Sequence, residues 1–453
     1  MKRPLPIGFA SALLLAATLG ATSKISPEEA RLHDLKHAVD QKIAAEYASL
    51  EAIYKDVHAN PELSFMETRT AALVAKELRA CGFEVTEKVG GMGVVGVIKN
   101  GPGPVIMVRA DMDALPIKEE TGLPYASKVV TKDFTGKDQP AMHACAHDMH
   151  VTGLIGTARV LSSMKQNWSG TLIMIGQHAE EMIGGARTML QDGLYTKFPT
   201  PNAVIALHVG GDIPAGEVGY VEGPVYANVD AVIIKVRGIG GHGARPHTTR
   251  DPVVLAGQII GALQTIVSRE LKPGTPAVVT IGSIHGGSRS NIIPAEVTME
   301  LTLRCYDEAV GDHLVASIKR ICENLGRAAG LPDHLLPEVT VPYDRTPVVV
   351  NDGPLTRRLA GTFKAWFPPE QVKAQEPATY GEDFSEFGRT THRVPISIFW
   401  IGGSDPAVMA AHQKKGEPWP SNHSPLWAPV PEPTLKASVK AMSAAVLDLM
   451  AKK

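Results

Sequence analysis

Met142-His143-Ala144-Cys145-Ala146-His147-Asp148-Met149-His150 is followed by an apolar run, Val151 to Leu161, with helical character. One thiol and three imidazoles therefore stand within a single short stretch. Thiolate and imidazole are borderline-soft ligands suited to zinc and its neighbours. Cys145 and His147 are two apart, so at an extended strand end they point the same way. A metal held there needs further ligands from elsewhere in the chain. The plain alternative is a buried thiol beside histidines that cap or pack.

Working outward, apolar runs precede further polar motifs. Pro104 to Ala110 reads as a buried strand ending in Asp111-Met112-Asp113. Gly170 to Gln177 reads as another, ending in His178-Ala179-Glu180-Glu181, and Ala203 to Leu207 as a third, ending in His208. Continuous apolar strands of this kind belong to parallel sheets covered on both faces. Carboxylates and histidines just past their carboxyl ends stand where α/β folds place active sites. Of the two aspartates, Asp113 is read as functional; a turn carboxylate is the ordinary alternative. Adjacent Glu180 and Glu181 diverge, so one can face a metal and the other a water.

On the amino-terminal side, helices are expected from Lys24 to about Val57 and from Glu67 to Cys81, and strands over Phe83–Val89 and Val94–Lys99. A helix is expected over 148–164 and a short one from Gly184 to Gln191. After Gly223-Pro224 the pattern changes. Strand (Ala231–Arg237), helix (Pro252–Leu271), two strands (Ala277–Ile284, Glu296–Tyr306) and helix (Asp312–Ala329) suit a small α+β, ferredoxin-like domain inserted into the first. Its glycine loop, 238–247, presents His242 and does not meet the dinucleotide-binding spacing. After Pro342 the larger domain resumes. Tyr380–Phe384 reads as a polar loop, Pro395–Ile401 as a buried strand, Asn422-His423 as a final ligand motif, and 432–451 as a closing helix.

With 453 residues, a formal net charge of −2 and 44% apolar residues, the chain has an ordinary globular composition and no basic field for nucleic acid. Lys2 and Arg3 before the apolar stretch Ile7 to Ala21 have the order of a secretory signal, so a periplasmic or secreted protein is expected, with no stable membrane insertion after cleavage. Four cysteines do not suggest a disulfide framework. The expected division is a signal at 1–23, a catalytic domain at 24–226 and 341–453, and a lid or dimerisation domain at 227–340.

The ordered motifs 58–63, 109–116, 142–148, 180–181, 207–209, 240–247, 291–294 and 422–425 resemble those of the metal-dependent amidohydrolases and carboxypeptidases that include hippurate hydrolases, N-acyl-amino-acid hydrolases and auxin-conjugate hydrolases. The resemblance implies an α/β dimetal exopeptidase-like fold and two divalent cations per subunit: zinc or manganese, with cobalt or nickel as further options. By that resemblance Cys145 bridges the two, Glu181 and His423 complete one site, and His147 and His208 the other. Glu180 is then the general base, Asp113 orients an imidazole, and His242 binds the scissile carbonyl, in related enzymes across a dimer. Asn291 and Arg304 grip the substrate carboxylate. The close subfamily has glycine where this chain has Ala146; a methyl there tightens the turn and removes no ligand. The implied reaction is hydrolysis of a small amide such as an N-acyl-amino acid by a homodimer. A dipeptidase or carboxypeptidase is the nearest alternative, and a non-catalytic metal- or ligand-binding protein the reading from another class.

Overall fold

The apolar strands assemble as one mixed sheet because their side chains alternate between two covered faces. In the computed structural model, which describes residues 26–342 and 345–452, this sheet runs in the order 84–89, 93–100, 170–177, 105–111, 203–214, 396–404, 218–220, 372–374. Strands 170–177, 105–111, 203–214 and 396–404 are parallel at its centre. Ile106, Val108, Leu172 and Met174 face a core formed with helices Pro27–Ala59, His147–Ser163 and Pro431–Leu449. Met107, Ile173, Ile175 and Val204 face the opposite core, which includes Met189 and Phe387. The expected signal segment lies outside the described residues.

Asp230–Arg237, Ala277–Gly286, Glu296–Cys305 and Glu338–Thr340 form a second, antiparallel sheet in the order 277–286, 296–305, 230–237, 338–340. Helices Pro252–Thr265 and Glu308–Ala328 cover it, giving the strand-helix-strand-strand-helix-strand sequence of a ferredoxin-like unit with its own core. The segment Pro252–Glu270 is apolar enough by length and composition to cross a membrane. Leu255, Ala256, Ile259 and Leu263 bury one side of it against the sheet, while Val253 and Val254 remain exposed on the other. The helix begins where Asp251 accepts from the Val253 N–H, and after Thr265 it loosens into a π turn, 266–270.

Several local expectations differ from the structure. The second helix is Thr68–Ala80, and Glu67 is turned inward instead of opening it. The helix expected from Asp312 starts at Glu308, capped by Asp307. Strand 203–214 runs past His208, so that histidine stands within a strand and not at its end. Helices Gly353–Trp366 and Pro406–Lys415 carry no polar motif and were not expected.

His58 closes the first helix as the hub of a buried ion cluster. Its Nδ1 is 2.6 Å from Asp148 and its Nε2 3.0 Å from Glu119. Burial alone would lower the imidazole's pKa, but the two carboxylates overcome this and raise it to about 9. The folded chain therefore holds a proton that the unfolded chain, near 6.5, releases. The stabilisation is complete below about pH 6.5 and is lost as pH rises through about 9. His58→Gln should accordingly be most destabilised relative to the parent below pH 6.5, with the gap narrowing towards pH 9 in denaturant titrations.

Candidate metal centre

The centre is built at the carboxyl ends of strands 105–111 and 170–177, on His208 of strand 203–214, and on the turn before helix His147–Ser163. Cys145 does not lie on a strand. It stands in a turn whose next residue, Ala146, is left-handed (φ 64°, ψ 25°) and caps the helix that His147 opens. The left-handed residue bends the chain so that thiol and imidazole converge, which the extended reading could not provide. Ala146 is fully buried. Glycine there would relieve backbone strain but lose a packed methyl, two effects of about 1 kcal/mol each that offset. Valine would add a β-branched strain and overpacking. Ala146→Val should therefore lose roughly 2–3 kcal/mol in denaturant unfolding, and Ala146→Gly little.

The imidazoles are held in defined tautomers. His147 Nδ1 donates to the Asp113 backbone carbonyl at 2.8 Å, with the Asp113 carboxylate 3.2 Å away. His208 Nδ1 donates to the Val209 carbonyl at 3.0 Å. A carbonyl only accepts, so both rings carry a proton on Nδ1, which leaves Nε2 as the atom each can offer to a cation. Asp113 also accepts from the Ser64 hydroxyl and the Glu181 N–H, tying the orienting carboxylate to the neighbouring ligand.

Loop 178–184 sets the two glutamates. Ala179 is left-handed (φ 49°), as is the β-branched Ile183 (φ 53°), a strained conformation for that residue type. The buried Glu67 carboxylate accepts from the Ala179 N–H at 2.7 Å and braces the loop from below. Gly185 is obligatory, since a Cβ would lie 1.5 Å from the His178 carbonyl oxygen. His423, also left-handed (φ 67°), is stitched to the motif by its N–H on the Ala144 carbonyl at 2.8 Å.

These elements bring Cys145, His147 and His208 together, and likewise Cys145, Glu181 and His423; within each trio the ligand atoms lie within 4.8 Å of one another. Cys145 Sγ is 3.6 Å from His208 Nε2 and 3.3 Å from His423 Nε2, and His423 Nε2 is 3.6 Å from Glu181 Oε1. Two ligand atoms about 2.1 Å from one tetrahedral ion stand about 3.4 Å apart. His147 Nε2 and Glu181 Oε1 are buried with no hydrogen-bond partner among the described residues. The charge balance points the same way. Burial, then the charges of Glu382 and Glu181, pushes the Glu180 carboxyl well up, and burial with Asp113 and Asp111 raises Glu181 to about 8. A buried, acidic, under-bonded set of this composition fits divalent cations.

Asp111 and His150 form another trio with His147. His150 is no free ligand, however: its Nδ1 meets Asp111 at 2.5 Å and its Nε2 accepts from the Val209 N–H at 2.7 Å. Tyr380–Phe384 is a loop, as expected, but its carboxylates are turned inward. Glu382 and Asp383 are buried against Arg109, itself fully buried and also bonded to Asp111 at 2.6 Å. The sequence carried the signal in Arg109, an arginine inside an otherwise apolar strand.

A cavity of about 760 Å³ opens beside the centre, lined by Cys145, Glu180, Glu181, His208 and His423, with Arg304 on its wall. His242 and Asn291 are not on that wall. Both are exposed, on or beside the short ladder that pairs Gly241–His242 with Ile292–Ile293.

Comparison with known proteins bears on this site. The profile of peptidase family M20/M25/M40 matches residues 107–421. Hippurate hydrolase of Campylobacter jejuni is 40% identical over 342 residues, covering 74% of this chain and 84% of that protein. Thermostable carboxypeptidase 2 of Saccharolobus solfataricus is 36% identical over 376 residues, covering 82% and 88%. Among solved structures, the Bacillus subtilis YXEP protein, a dinuclear metal-binding peptidase, superposes with a TM-score of 0.71 at 30% identity over 90% of this chain and 99% of that one.

Proposed function

This chain belongs to peptidase family M20/M25/M40, metal-dependent hydrolases of amide bonds, and we propose that it cleaves N-acyl-amino acids or similar small amides at a centre holding two divalent cations. The carrying observation is the convergence of two ligand trios that share Cys145 beside a cavity of small-molecule size. Hippurate, which names one relative, is an N-acyl-amino acid, and the wall residue Arg304 offers a cation for a substrate carboxylate.

In this reading His147 and His208 would hold one ion and Glu181 and His423 the other, with Cys145 available to both. The mixed set of thiolate, imidazole and carboxylate suits zinc or manganese, with cobalt or nickel able to replace them. Such ions polarise a carbonyl and acidify water. Glu180 takes the proton of the attacking water and delivers it to the leaving nitrogen. Asp113 keeps His147 in its ligand tautomer. The related carboxypeptidase supports a second reading, cleavage of small peptides by the same centre. Turnover of hippurate and acetylated amino acids against dipeptides, with added Mn²⁺ or Zn²⁺ and with chelator, separates the two. Undiminished activity after full metal removal would defeat both.

Export is proposed from the basic and apolar order of the first residues. A homodimer is proposed through the ferredoxin-like unit. Strand 277–286 is an edge with one open side, and the exposed face of helix Pro252–Thr265 offers Val253 and Val254 beside Gly257 and Gly261, where added side chains would meet open space. Such a dimer would let His242 and Asn291 serve a partner's cavity. Mixing inactive His242→Ala chains with inactive Glu180→Gln chains should then restore part of the activity, since one site of each mixed dimer has both residues. Verified mixed dimers without recovery would place His242 outside the partner's site.

A further inference from the structure

Tyr226 closes the strand Gly223–Tyr226, a segment that entered none of the motifs above. It is 2% exposed, yet it is among the residues that line the cavity. Its backbone is pinned on both sides, by pairing with Val349 and by the Ala227 N–H on the Ala378 carbonyl at 3.1 Å. The ring stands between the candidate ligand His208, with centroids 6.3 Å apart, and Trp400, at 5.4 Å.

The phenol oxygen is buried and has no hydrogen-bond partner among the described residues. The donor group beside that oxygen is the Trp400 indole N–H. An indole N–H only donates, so even a completed contact would leave the phenol's own proton without an acceptor. Burying an unsatisfied hydroxyl is unfavourable, and its persistence calls for a partner that arrives later. The atoms sharing this condition at the centre are His147 Nε2 and Glu181 Oε1, which face the cation positions.

We propose that the Tyr226 hydroxyl donates a hydrogen bond to the carbonyl oxygen of the scissile amide as that oxygen gains charge. This rests on the amide-hydrolase reading above and adds a donor from within the chain, where His242 is absent from the cavity wall. A phenol is protonated at neutral pH and is therefore a donor. Trp400 and the pinned strand fix the position of the ring.

The test is Tyr226→Phe, which removes one oxygen and retains the ring. Metal content should match the parent. Turnover of an N-acyl-amino acid should fall roughly 10²–10³-fold in kcat, with KM changed far less. In calorimetry on metal-loaded protein, a phosphinate analogue that places a charged oxygen at the carbonyl position should bind Tyr226→Phe more weakly by a similar factor. An analogue with a methylene at that position should bind both proteins equally. Unchanged kcat, equal phosphinate affinity, phosphinate binding to neither protein, or metal loss in the variant would each overturn the proposal. A parent that binds the phosphinate but hydrolyses no N-acyl-amino acid would overturn the substrate reading instead, and the two phosphinate affinities would still decide the role of Tyr226.

Discussion

Glu180→Gln is expected to lower kcat by roughly 10²–10⁴-fold while the protein keeps both metals. Glu180 lines the cavity and is 5% exposed, and it does not belong to either of the two trios that share Cys145. Its neighbours Glu382 and Asp383 are already engaged by Arg109, so neither is free to replace it as a base. Glutamine has the same shape but cannot take a proton from water. Glu181→Gln differs: it weakens a ligand that lies 3.6 Å from His423 Nε2, so metal should be lost together with turnover. The competing possibility is that Glu180 is itself a ligand, since its oxygen lies 3.9 Å from His147 Nε2. Metal analysis of the two variants decides. Equal stoichiometry and comparable rates in both would end the division of roles.

The contrast between what was legible in the sequence and what was not has a physical basis. Strands 105–111 and 170–177 were readable because burial on both faces makes each an unbroken apolar run. The three-residue strands 218–220 and 372–374 are too short to carry a period. Motif order gave the residues that the structure gathers at the centre, but not the turn that gathers them. Ala146 adopts a left-handed conformation that alanine does not advertise, and so Cys145 was read onto a strand. Glu382 and Asp383 read only as part of a polar loop because their neutralising partner, Arg109, is remote in sequence. His150 stood inside the opening motif, yet only coordinates reveal that both its nitrogens are spent on Asp111 and Val209. Tyr226 belongs to no pattern at all; an unsatisfied hydroxyl is a property of packing.

Cys145→Ser should have the largest effect on metal content, because Cys145 is the one residue common to both trios. Its sulfur lies 3.6 Å from His208 Nε2 and 3.3 Å from His423 Nε2, between the two groups. Burial, and then the charge of Glu181, pushes the thiol's pKa far up when no cation is present. A bound cation reverses that balance, since a coordinating thiol is deprotonated outright. A serine hydroxyl is far less acidic and a poorer soft ligand, so the same cation cannot draw out the same negative charge. Both positions should therefore weaken together, and turnover should fall with them. Stability gives a second measure, because a ligand that binds only the folded state raises stability by about 2.7 kcal/mol at a hundred times its Kd. Added metal should raise the parent's unfolding midpoint and leave that of Cys145→Ser nearly unmoved. Two ions per chain in the serine variant, with an intact metal-dependent rise in stability, would show that the sulfur bridges nothing.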